Sequence, residues 1–89
     1  DWVCLSPKKQ KLPKKEIYKI ADELKIIVYN KHDLEFALDE SKKVTEKCKL
    51  FLQPEWARFE KNKSFIFDFI KENPNWSLSL QLHKFMGID

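Results

Sequence analysis

Four polar side chains stand where short apolar runs of this chain give way to polar residues: Ser6 and Lys8 around Pro7, Gln53 before Pro54, and His83 in the tail. A hydroxyl and an ammonium flanking a proline suit a carboxylate or a ribose hydroxyl, with the proline limiting the entropy lost on binding. The Gln53 amide donates and accepts at once, which suits a nucleobase edge or an amino-acid backbone group. The His83 imidazole can hydrogen-bond a heterocycle or carboxylate and can exchange a proton near neutral pH. Each also has an ordinary reading, as a strand-ending turn residue, a surface lysine or a histidine near a chain end. No Ser-His-Asp or Cys-His set and no paired-carboxylate spacing occurs, and the one glycine, Gly87, rules out a glycine-rich phosphate loop. No catalytic residue and no metal ligand is assigned within the chain, since neither histidine has partners at metal-ligand spacing.

The elements that would position these groups follow from periodicity. Trp2 to Leu5 reads as a buried strand ended by Ser6-Pro7. Ile17, Ile20, Ala21 and Leu24 recur at helical spacing, predicting a helix over 14–24, and Ile26 to Tyr29 is a β-branched second strand. Asn30 or Asp33 can cap a second helix with Leu34, Ala37, Leu38, Ser41 and Thr45 along one side. Leu50-Phe51-Leu52 is a third strand stopped by Gln53-Pro54. A segment through Trp56 and Arg58 leads to a helix over about 60–72 with Phe65, Ile66, Phe69 and Ile70 as its buried stripe. In the last strand, from Ser77 to about Leu82, alternation places Ser77, Ser79, Gln81 and His83 on one face. The order β-α-β-α-β-α-β has crossovers long enough for parallel strands, as in half of an α/β barrel or part of a doubly wound sheet. Both architectures hold ligands at the carboxyl ends of the strands.

Composition sets outer bounds. Eighty-nine residues with 43% hydrophobic content make one domain with a small core. Residues 1–31 carry eight Lys against four acidic residues, and residues 32–89 carry nine Lys or Arg against ten, so the net +3 is concentrated early, in Lys8-Lys9-Gln10-Lys11 and Lys14-Lys15. A small basic RNA-binding module, or a structural α/β module without catalytic activity, is the alternative to an enzyme. A single Arg and no basic stripe interleaved with aromatics argue against nucleic acid as a partner. No apolar run reaches the length of a membrane span, so no membrane is expected as a partner. Cys4 and Cys48 are expected to be free core thiols in a cytoplasmic protein. The apolar run at 2–5, with nothing before it to cover it, points to a piece of a longer polypeptide.

Four ordered segments carry a resemblance: Asp1-Trp-Val-Cys-Leu-Ser-Pro-Lys8, Asp22-Glu-Leu-Lys-Ile-Ile27, Phe51-Leu-Gln-Pro-Glu-Trp56 and Asn73 through Ile88. Together they resemble the carboxyl-terminal part of the 7-carboxy-7-deazaguanine synthases, radical S-adenosylmethionine enzymes of the 7-deazapurine pathway to queuosine, a tRNA modification. The resemblance implies the C-terminal portion of an incomplete, modified (β/α) barrel, with residues 1–89 forming the C-terminal half of a radical S-adenosylmethionine core domain in a homodimer. It implies a lyase reaction that contracts 6-carboxy-5,6,7,8-tetrahydropterin to 7-carboxy-7-deazaguanine with loss of ammonia. In that family a [4Fe-4S] cluster cleaves S-adenosylmethionine reductively, the 5′-deoxyadenosyl radical abstracts a substrate hydrogen, and Mg²⁺ assists the rearrangement. Residue by residue, Ser6, Lys8 and Gln53 correspond to cofactor contacts. His83, in a Gln-Leu-His-Lys segment where Leu82 replaces the usual Thr, corresponds to a contact of the pterin substrate. Asp89 aligns with the family's last residue, whose terminal carboxylate helps bind substrate near the metal.

One departure limits what these residues can do. The resemblance implies that three cluster cysteines lie in a Cys-x₃-Cys-x₂-Cys type of loop in the amino-terminal half, and Cys4 and Cys48, 44 positions apart, do not replace them. The missing amino-terminal half is therefore the first partner expected, and the segment alone is expected to be inactive. Anaerobic iron and sulfide reconstitution of residues 1–89 is expected to leave no bound cluster, read by iron content and visible absorption.

Overall fold

The structure, a computed structural model, describes residues 2–79; Asp1 and residues 80–89, with His83 and Asp89 among them, lie outside the described residues. The elements are β1 (Cys4–Leu5), α1 (Lys15–Ile20), β2 (Glu23–Val28), α2 (His32–Ser41), β3 (Lys49–Pro54), a 3₁₀ turn (Trp56–Arg58), α3 (Phe59–Glu72) and β4 (Trp76–Leu78). All neighbouring strands are parallel, and the sheet order is β1-β2-β3-β4. The alternation of strand and helix expected from periodicity is present. A strand order without reversal contains no topological switch point of the doubly wound kind.

Register decides what faces what. Leu24 pairs with Leu5 and Leu50, Leu50 with Trp76, Ile26 with Leu52, and Leu52 with Leu78. These residues form one cluster with Tyr18 of α1, Leu34 and Ala37 of α2, and Ile66 and Phe69 of α3. The helices therefore pack on a single face, and each fully buried Leu, Ile or Val there contributes about 1.5–3 kcal/mol. The opposite parity, Cys4, Glu23, Lys25, Ile27, Lys49, Phe51, Gln53 and Ser77, lies on the other face and joins none of that cluster.

Several boundaries differ from those expected. α1 ends at Ile20 because Ala21 turns extended, at φ −67° and ψ 131°, and Leu24 belongs to β2 with no exposure. Residues 24, 26 and 28 alternate into the core, and that two-residue period prevails over the helical spacing of 17, 20, 21 and 24. α2 stops at Ser41. β3 runs through Gln53 and Pro54 to pair with Ile27 and Val28, and the ladder is continued by the Glu55 amide donating to the Val28 carbonyl at 3.0 Å. Trp2 is 60% exposed and lies outside β1, its indole N–H donating to Glu23 Oε1 at 2.9 Å. Cys4 is exposed rather than in the core, while Cys48 is buried; both are free. α3 ends where Asn73 returns both its backbone and side-chain N–H to the Phe69 carbonyl, ahead of Pro74.

One polar contact is buried beneath the helices. The Tyr18 hydroxyl of α1 donates to Glu40 Oε1 of α2, and Lys43 Nζ meets Glu40 Oε2 at 2.6 Å while lying 5.0 Å from the Tyr18 ring centroid. Burial, and then the Glu40 carboxylate, push the Tyr18 phenol well above its ordinary range, so it is a donor at any physiological pH. Substituting Leu52→Ala should cost about 2–5 kcal/mol in urea unfolding of the protein. Phe51→Ala, one residue away on the opposite, half-buried face, should cost clearly less. Tyr18→Phe, which removes one donor from a buried carboxylate, should cost about 1–3 kcal/mol.

Candidate functional site

At the carboxyl ends of β1 and β2 lies a cavity of about 290 Å³. Its wall is the loop after β1, Ser6 to Gln10, together with Lys25, Ile27 and Tyr29 from β2 and its end, and Asp33 and Phe36 from α2. Pro7 is buried, and the Lys11 amide donates to the Lys8 carbonyl at 3.0 Å, so the lysine-rich segment is a tight turn. Asp33 joins that turn to the end of β2. Its Oδ1 lies 2.7 Å from Lys9 Nζ, and its Oδ2 accepts the amides of Tyr29 at 2.7 Å and Asn30 at 3.1 Å. Burial acts to raise the Asp33 pKa, but Lys9 and the two amides outweigh it and hold the carboxyl below its usual range. Asn30 Oδ1 accepts the His32 amide at 2.9 Å, which sets the start of α2.

Of the residues expected from the sequence, Ser6 and Lys8 line this cavity and both are exposed. Gln53 is not part of its wall. It lies on the helix-free face beside Ile27, 8% exposed, and its Oε1 is buried without a hydrogen-bond partner among the described residues. Such an acceptor matches a ligand carrying an N–H or O–H. His32 is exposed at the start of α2. Lys9, Lys25, Tyr29 and Asp33 also belong to the site; of these, Asp33 was expected only as a helix cap and Lys9 only as part of the basic cluster. The signal for Asp33 was the Tyr-Asn-Lys-His-Asp run directly after an apolar strand, in which an Asx side chain can collect the amides of the turn.

The loop and helix that follow β3 pack against Tyr29 at the end of β2. Asn62 of α3 donates its amide to the Tyr29 carbonyl at 2.9 Å, and the Arg58 guanidinium lies 5.9 Å from the Tyr29 ring. The carboxylate of Glu55 accepts the Ala57 amide at 2.8 Å and opens the 3₁₀ turn, where Trp56 packs on Phe59 with ring centroids 5.0 Å apart. Both thiols are pushed above their ordinary values, first by burial and then by nearby carboxylates: Glu23 at Cys4, Asp22 and Glu23 at Cys48. Among the described residues no three of His, Cys, Asp and Glu come together to hold a metal ion, and no helix is long and apolar enough to cross a membrane.

Known proteins resemble the chain along nearly its whole length. It is 53% identical over 88 residues to a 7-carboxy-7-deazaguanine synthase of Flavobacterium psychrophilum, covering 99% of this chain and 42% of that protein. The chain is homologous to 7-carboxy-7-deazaguanine synthase. A Synechocystis 7-carboxy-7-deazaguanine synthase is 42% identical over 88 residues, again 42% of its length, and one from Prochlorococcus marinus is 37% identical over 105 residues, 46% of its length. The chain thus spans less than half the length of the curated relatives it matches. No family model matches the chain, and no solved structure matches it significantly. The homology to 7-carboxy-7-deazaguanine synthase runs through the cavity wall, Gln53 and the helix-free face alike.

The Asp33 contacts give the site a defined response to acid. A carboxyl held low in the folded state adds stability above the unfolded value, about pH 4, and loses it as pH falls through the folded value. The protein should therefore exceed an Asp33→Asn variant by about 1–2 kcal/mol at pH 7. In urea titrations taken stepwise below pH 4 the two curves should converge.

Proposed function

We propose that this chain supplies cofactor and substrate contacts to a radical S-adenosylmethionine lyase that converts 6-carboxy-5,6,7,8-tetrahydropterin to 7-carboxy-7-deazaguanine with loss of ammonia. The observation that carries the reading is identity of 53% over 99% of the chain to a protein of that name. The parallel sheet, with helices on one face and polar side chains on the other, is consistent with the carboxyl-terminal arc of a (β/α) barrel whose interior would be the helix-free face.

The residues present fit S-adenosylmethionine. Gln53 offers a buried acceptor without a donor among the described residues, and Ser6 and Lys8 offer a hydroxyl and an ammonium on a turn already fixed by Pro7 and the Lys8–Lys11 hydrogen bond. When bound, S-adenosylmethionine supplies the hydrogen-abstracting chemistry. Gln53 holds and orients the ligand by its amide, Lys8 neutralises negative charge, and the Leu5-to-Pro7 corner keeps the loop in place. His83 and Asp89 are proposed contacts of the pterin, the first by its imidazole and the second by its carboxylates.

Two further groups find no ligand set among the described residues. Cys4, on β1, and Cys48, just before β3, are two free thiols where three cluster cysteines are needed, so the [4Fe-4S] cluster is proposed to be held elsewhere in a longer polypeptide. The described residues bring no ligand set together for Mg²⁺ either. The working enzyme is thus proposed to be a homodimer of longer chains in the cytoplasm, a compartment in which free thiols such as these persist.

In the full-length protein, Gln53→Leu should raise the KM for S-adenosylmethionine roughly tenfold, the equivalent of one hydrogen bond. His83→Ala should lower formation of 7-carboxy-7-deazaguanine from the carboxypterin. Circular dichroism should show both variants folded. Unchanged kinetics in both variants would overturn the assignment of these residues.

A further inference from the structure

The cavity at the ends of β1 and β2 has an unbalanced charge. Three lysines, Lys8, Lys9 and Lys25, are among the residues that line it, against a single acidic residue, Asp33. Asp33 is already committed to Lys9 and to two backbone amides. Lys25 stands apart from the surface lysines because it lies within a strand, half-buried, on the helix-free face. Its register partner is Phe51 on β3, which in turn pairs with Ser77 on β4, and it follows directly on the last β1–β2 pair, Leu5 with Leu24. No carboxylate among the described residues pairs with it. A partly desolvated ammonium without a counter-charge is unfavourable, and an anionic group brought by a ligand relieves it.

We propose that Lys25 receives a ligand carboxylate in this cavity, either that of the methionine moiety of S-adenosylmethionine or that of the carboxypterin. The inference rests on the function proposed above, in which both ligands carry a carboxylate. Lys8, on the facing loop, adds a second positive charge at the cavity wall, and the Asp33–Lys9 pair holds that loop against the end of β2. Lys25 is then a residue that selects for the carboxylate rather than for the rings of either ligand.

The test is calorimetric binding to the full-length, cluster-loaded protein, its Lys25→Met and Lys25→Gln variants and Lys25→Arg, each first shown to be folded by thermal melting. The probes are S-adenosylmethionine against decarboxylated S-adenosylmethionine, and 6-carboxypterin against pterin. Loss of a charge-assisted contact should weaken one carboxylate-bearing ligand roughly 10–100-fold in Lys25→Met and Lys25→Gln, leave its carboxylate-free counterpart unchanged, and be largely restored in Lys25→Arg. Selective loss in the first pair assigns the methionine carboxylate, and in the second the pterin carboxylate. Equal loss for both members of a pair, or no loss in either pair, overturns the role of Lys25 while leaving the proposed function intact. Failure of the unsubstituted protein to bind either carboxylate ligand overturns the proposed function and the inference with it.

Discussion

The parallel registration of β2 with β3 fixes nearly everything else in this chain. Six consecutive pairs, from Glu23 with Lys49 to Val28 with Pro54, commit one set of side chains to the helices and the other to the opposite face. A slip of one residue would carry Leu24, Ile26 and Val28 out of the core and bring Lys25 into it, so the register is strongly specified. β1 and β4 contribute two and three pairs and take their orientation from this central pair. The polar groups that matter chemically owe their placement to apolar neighbours one residue away.

The helices are held to that sheet by apolar packing and to each other by a buried carboxylate. Glu40 is 1% exposed, and it is tolerable there because Tyr18 and Lys43 both donate to it. Lys43 serves twice, since its ammonium also lies over the Tyr18 ring, so that α1, only six residues long, is fastened to α2 by more than its apolar stripe. A helix of that length has little stability of its own. Its position, and with it the return path from the Lys8–Lys11 turn into β2, depends on tertiary contacts.

Much of the architecture was legible in the residues, and the exceptions have physical causes. The alternating order and parallel pairing followed from short apolar runs separated by segments of helical spacing. Leu24 was ambiguous because it satisfies both periods; only the pairing with Leu5 and Leu50 decides it. Gln53 was expected to follow β3 and instead lies inside it, because a proline at a strand's end interrupts one donor without ending the ladder. Trp2 and Cys4 look like core by type, yet Glu23 gathers both side chains at an exposed edge of the helix-free face. Within the cavity, Ser6 and Lys8 were marked by their proline. Lys25 and Asp33 were not, since their significance arises from neighbours distant in sequence: the β1 loop for one, Lys9 for the other.

The carbonyl oxygen of Gln53, buried without a partner among the described residues, has an energetic consequence. A buried acceptor without a donor costs about 1–3 kcal/mol, a large share of the margin by which a domain of this size stays folded. Any ligand that donates to it returns that free energy to the native state alone, so ligand concentration becomes a determinant of how long the folded chain survives.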